Sequence, residues 1–149
     1  MERVFWVATF LTIFAVAWQA LDRSFPIALL EREVVNPVVP AGSHLQIRYR
    51  VKVLHEAELR FYQRLYDGAG VVYDYAVRTL PTGALDTGPP SYTSQRLIPR
   101  RAEPGHGTLV VTTCWERPYN LVHQFWPPCV TLKPFEITIA PSDRDQPPE

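Results

Sequence analysis

From residue 4 to residue 21 the chain reads VFWVATFLTIFAVAWQAL, a run without a single charged side chain. Only Thr9, Thr12 and Gln19 interrupt its apolar surface. As a helix rising about 1.5 Å per residue, it extends roughly 27 Å, close to the hydrocarbon thickness of a bilayer. Three structures accommodate such a stretch. A core helix of a globular domain carries polar positions at helical spacing, whereas this one is apolar around its whole circumference. A cleaved signal peptide needs a basic start, an apolar stretch of about 7–15 residues and a small-x-small exit. Met1-Glu2-Arg3 is a weakly basic start and Ala15-Val16-Ala17 an acceptable exit. Against cleavage, Trp18 and Leu21 carry the apolar run further, and Trp6 and Trp18 stand where interfacial rings gather.

The expectation is therefore an uncleaved signal-anchor over residues 1–21, touching the lipid bilayer through residues 4–21. Cleavage near Ala17 is the competing reading. Arg3 and the amino terminus precede the segment, with Glu2 partly offsetting them, and Asp22 and Arg23 come after it. This slight bias favours a cytoplasmic N-terminus, with the C-terminal domain periplasmic or extracellular.

Beyond the anchor lie about 125 residues, enough for one domain. Lys and Arg number 15 and Asp and Glu number 15, so no global field points to nucleic acid. Fifteen prolines and 7 glycines punctuate the chain too often for long helices. Outside the anchor no segment sustains a 3.6-residue apolar period, which leaves an all-β domain.

Residues 22–26 form a short juxtamembrane linker. Residues 26–35 suit a first edge strand, with Pro26 at its start where a missing donor is harmless. Asn36-Pro37 and Pro40-Ala41-Gly42 frame a turn. In the next strand Leu45, Ile47, Tyr49, Val51 and Val53 alternate with Gln46, Arg48, Arg50 and Lys52, giving one apolar and one cationic face. Residues 58–66 repeat the theme, and Asp67-Gly68-Ala69-Gly70 is a hairpin turn leading to a partner strand at 71–77. Residues 78–90 read as a loop, 92–98 as a strand and 100–107 as a turn region. Residues 108–115 and 130–140 are strongly β-forming. About seven short strands with turns between them predict an immunoglobulin- or fibronectin-like antiparallel β-sandwich over residues 27–140. The immunoglobulin framework of Cys, Trp and Cys on facing strands is absent. The remainder, 141–149, is polar and expected to be disordered.

Two cysteines, Cys114 and Cys129, bracket a loop reading WERPYNLVHQFWPP. In an oxidising compartment a disulfide is the natural pairing. Two free buried thiols, or a metal site with His123, are the alternatives, and zinc lacks further ligands at recognisable spacing. The loop carries Trp115, Tyr119, Phe125 and Trp126. Rigid rings on a constrained loop suit partner binding; they equally suit a plug at one end of the sandwich. A second candidate surface joins Arg48, Arg50 and Lys52 to Arg60 and Arg64, with Tyr62 and Tyr66, if their strands are neighbours. It would meet phosphates or an acidic partner; the alternative is a solvated face paired by Glu56, Glu58 and Glu136. Catalytic motifs are lacking: His44, His55, His106 and His123 are scattered, and neither HExxH nor GxSxG occurs.

The combined expectation is a single-pass, non-catalytic protein-binding or assembly subunit of a membrane complex, without cofactor and with other protein subunits as partners. A secreted or periplasmic binding or chaperone-like module, released by cleavage, is the alternative. A phage-encoded envelope or virion component is a third.

Overall fold

The computed structural model describes residues 2–86 and 91–142. Helix α1 (Glu2–Leu21) leads into a body built mostly of strands. Strands β1 (Ile27–Val34), β3 (His44–Val53) and β7 (Tyr92–Leu97) make an antiparallel sheet in the order β1-β3-β7. The second sheet holds β2 (Val38–Pro40), β4 (Glu58–Tyr66), β5 (Val72–Asp74), β8 (Gly105–Glu116) and β10 (Phe135–Ala140) in the order β2-β10-β8-β4-β5. Two short strands are added to it: β6 (Arg78–Pro81) on β4 and β9 (Cys129–Thr131) on β8. Pairing is antiparallel except where β2 runs parallel to β10. Two short helices, α2 (Gly83–Asp86) and α3 (Leu121–Phe125), lie in connections.

Period-two alternation explains the packing. On β3, Leu45, Ile47 and Tyr49 are buried while Arg48 and Arg50 are exposed. Their buried side chains meet Leu65, Leu109, Val111, Phe135, Ile137 and Ile139 of the other sheet in one shared core. A smaller cluster of Ile27, Ala57, Leu59 and Trp115 fills the end nearest α1, where Phe25 packs edge-on against Trp115 with ring centroids 5.1 Å apart. The end of the domain nearest α1 is therefore apolar inside, and Val51 and Phe61 pack against both clusters.

Several expectations change. The described residues contain ten strands rather than about seven. Residues 38–40, expected only as a turn, pair with β10 through backbone groups. The strongly β-forming stretch 130–140 is two strands, because Pro134 has no N–H to continue a ladder. Residues 78–86, expected as loop, contain β6 and α2; residues 87–90 of that stretch lie outside the described residues. So do residues 143–149 of the expected polar tail.

The hairpin turn after β4 is held by Asp67, which is buried. Its carboxylate accepts backbone N–H bonds from Ala69 at 3.0 Å, Val71 at 2.9 Å and Glu103 at 3.0 Å, and the Tyr73 hydroxyl at 3.1 Å. Gly68 is required beside it, since a Cβ there would sit 2.5 Å from the Pro104 carbonyl oxygen. Burial opposes the Asp67 charge, but the bonds from Glu103, Val71, Tyr73 and Ala69 outweigh it and hold the carboxyl below its ordinary 3.8. A carboxyl lowered on folding contributes stability above its unfolded value and loses it as pH falls through the folded value. Asp67→Asn should thus lower stability near neutral pH by about 1–2 kcal/mol, from lost bonds to the charged group. The gap from the native chain should close below pH 3.8, measured by denaturant unfolding of the micelle-solubilised chain at both pH values.

Candidate binding site at the end of the apolar helix

Cys114 on β8 and Cys129 on β9 are cross-strand register partners, which brings their side chains together, and they are disulfide-bonded. The bond fits an oxidising compartment. It closes the loop that contains α3. Asn120 caps α3: its Oδ1 accepts N–H bonds from Val122 at 3.1 Å and His123 at 3.2 Å.

The same loop reaches the C-terminal end of α1, where the last carbonyls of a helix lack intrahelical donors. Asn120 Nδ2 donates to the Gln19 carbonyl at 3.1 Å. His123 is buried, and its Nε2 lies 2.8 Å from the Asp22 carbonyl oxygen, an acceptor that makes the ring nitrogen the donor. The Arg117 guanidinium pairs with the Asp22 carboxylate and donates to Ser24 Oγ at 2.7 Å. Ser24 Oγ in turn donates to Asp22 Oδ1 at 2.7 Å. The Ser24 bond, together with the nearby Arg117 charge, outweighs desolvation and keeps the Asp22 carboxyl below its ordinary value. Three loop side chains, Arg117, Asn120 and His123, thereby fasten the domain to the helix. The residue types alone did not reveal this; the one available signal was the close spacing of polar groups within an otherwise aromatic loop.

The aromatic residues separate into two groups. Trp115 is buried in the anchor-proximal cluster, part of the interior rather than the surface. Tyr119, Phe125 and Trp126 are exposed, at 92%, 85% and 78%, as is Leu121. α3 lies along α1, and Leu121, Val122 and Phe125 face Leu11, Thr12, Ala15, Val16 and Gln19 across an open groove. The positions on α1 fall at helical spacing, on one face.

The expected five-charge basic surface does not form. Arg48, Arg50 and Lys52 lie on β3, whereas Arg60 and Arg64 lie on β4, and these strands belong to different sheets. The connection after β3 crosses from one sheet to the other, so consecutive strands are not neighbours here. Each group also meets acids: Arg48 with Glu33 at 3.5 Å, Arg50 with Glu31 at 3.4 Å, Arg60 with Glu116 at 2.8 Å and Arg64 with Asp74 at 2.8 Å. Of the acids expected to neutralise them, Glu58 does so, 3.6 Å from Arg60; Glu136 instead meets His106 at 2.7 Å.

Between the sheets a cavity of about 230 Å³ is lined by Tyr49, Gln63, Tyr92, Arg96 and Thr113, among others. Arg96 donates to Gln63 Oε1 and to the Gln95 carbonyl, and burial lowers its pKa. Burial pushes the phenols of Tyr49 and Tyr75 up to about 12, and the Tyr75 hydroxyl donates to the Leu97 carbonyl at 2.9 Å. Among the described residues no three His, Cys, Asp or Glu side chains stand close enough to hold a metal ion. In comparisons with known proteins, no family model matches the chain and no curated protein has a similar sequence.

The disulfide has a direct check. The loop it closes is worth about 3 kcal/mol in the chain-entropy account, so Cys114→Ser with Cys129→Ser should lower unfolding stability by that order. Thiol labelling of the unreduced, denatured chain should find no free cysteine; two reactive thiols would contradict the bridge.

Proposed function

We propose that the chain is a single-pass, membrane-anchored, non-catalytic assembly subunit whose β-domain, on the extracytoplasmic side, docks another protein. The observation that carries this reading is the pairing of an apolar helix with a disulfide-closed domain. Residues Arg3–Leu21 form a helix long and apolar enough to cross a bilayer, and the domain buries none of it. A helix apolar all round and unburied by protein calls for lipid. The Cys114–Cys129 bond favours an oxidising compartment for the domain, and hence a cytoplasmic N-terminus.

Strand order supports an immunoglobulin-like sandwich. By position β1, β3 and β7 match strands A, B and E, while β10, β8, β4 and β5 match G, F, C and C′. The parallel pairing of β2 with β10 fits a split first strand that changes sheets. The cysteine pair differs from the immunoglobulin pattern, for it joins neighbours within one sheet.

Docking falls to the β7 edge. Strand β1, the other edge of that sheet, is guarded by Glu31, Arg32 and Glu33 and by a register shift between Leu29 and Glu31. Strand β7 pairs only with β3 among the described residues, and its outward Thr93, Gln95 and Leu97 are uncharged. An unguarded edge suits strand addition by a partner. Gentle detergent extraction, pull-down and intact-mass measurement test the proposal. The expected result is an intact N-terminus with a stoichiometric companion, lost on Thr93→Lys with Leu97→Lys while the chain stays folded. A soluble, solitary chain beginning at Trp18 would contradict it.

A further inference from the structure

We infer that the loop between β8 and β9 is a second membrane-contacting element, its α3 turn immersed in the same leaflet from which α1 emerges. The inference rests on the reading of α1 as the membrane-spanning segment. Given that reading, geometry names the occupant of the apolar loop surface. α3 lies along α1 from Gln19 up to Leu11. Leu11 is ten residues before the end of α1, so this contact reaches to roughly 15 Å from that end along the helix axis, about half the hydrocarbon thickness. Any bilayer that surrounds α1 at those positions also surrounds Leu121 and Phe125.

The chemistry of the loop agrees. From Pro118 to Pro128 there is no Asp, Glu, Lys or Arg. Its apolar residues point outward instead of into the domain: Phe125 is 85% and Leu121 61% exposed. In water so much exposed ring surface on one short loop is unfavourable; against lipid it is stabilising. Tyr119 and Trp126 flank the turn and, like Trp18 on α1, are exposed amphipathic rings of the kind that favours the headgroup level. Two of the polar groups that would suffer in hydrocarbon, Asn120 Nδ2 and His123 Nε2, are bonded to the Gln19 and Asp22 carbonyls, while His123 Nδ1 and Arg117 Nε are buried without a partner. The only charged loop residue beside the turn, Arg117, is neutralised by Asp22 at the end of α1. Attachment through apolar side chains rather than charge makes the immersion independent of anionic lipid and of salt.

Spin labels test the depth. With the native disulfide intact, single cysteines are placed by Leu121→Cys, Phe125→Cys, Val16→Cys and Thr93→Cys, labelled, and the full chain is reconstituted in phosphatidylcholine vesicles. Labels at 121 and 125 should be relaxed by oxygen and shielded from an aqueous nickel chelate. Their oxygen-to-nickel ratio should approach that at 16 and exceed that at 93 several-fold, unchanged when anionic lipid or salt is added. Nickel-accessible labels at 121 and 125, with 16 still shielded, would overturn the loop immersion and leave the anchor standing. A nickel-accessible label at 16 would overturn the anchor and the loop immersion with it.

Discussion

Capping at the end of α1 governs how the two parts of this chain relate. A helix end exposes carbonyls that have no donor within the helix. Here the carbonyls of Gln19 and Asp22 are met by Asn120 and His123, and the Asp22 side chain by Arg117 and Ser24. Asn120 and His123 each stand 101 residues beyond the carbonyl they meet, so the domain must be folded before the helix end is capped. Helix α1 is consequently not a flexible tether, and the domain holds a defined pose against its end.

That pose depends on the loop being shaped in advance. Its ends are fixed on β8 and β9 by the Cys114–Cys129 bond, and its middle by the Asn120 cap of α3. Beneath it, Trp115 and Phe25 join the loop base and the linker in one apolar cluster. Each contact is modest, but together they leave few ways for the linker to move independently. The outer sheet faces are different in character: those of β3 and β4 carry ion pairs exposed to water, worth little individually. The β7 edge, by contrast, presents uncharged Thr93, Gln95 and Leu97.

Much of this was legible in the sequence, and the parts that were not have a common cause. Helix α1 announced itself by an unbroken apolar run, β3 by strict alternation, and the cysteine pair by its placement at strand ends. Asp67 and its glycines marked their turn by composition. Local pattern does not encode which strands become neighbours. It was for that reason that Arg48 and Arg60 looked like one surface, although the chain carries them to different sheets. Short strands such as β2 and β6 also escaped notice, since three or four residues give too little periodicity, and β9 was merged with β10. Trp115 and Trp126 share residue type and loop, and only the direction of each side chain separates core from surface. The link from Arg117, Asn120 and His123 to α1 is long-range hydrogen bonding, to which residue spacing is blind.

The measurement that bears most directly on the fastened anchor is a distance between helix and domain in a bilayer. Spin labels introduced by Val7→Cys and Lys133→Cys, in nanodiscs with the disulfide intact, allow pulsed magnetic resonance to read it. A fastened domain predicts one narrow distance distribution, which broadens when Arg117→Ala and His123→Ala release the helix end. A broad distribution in the unaltered chain would contradict the account and make the linker a free hinge.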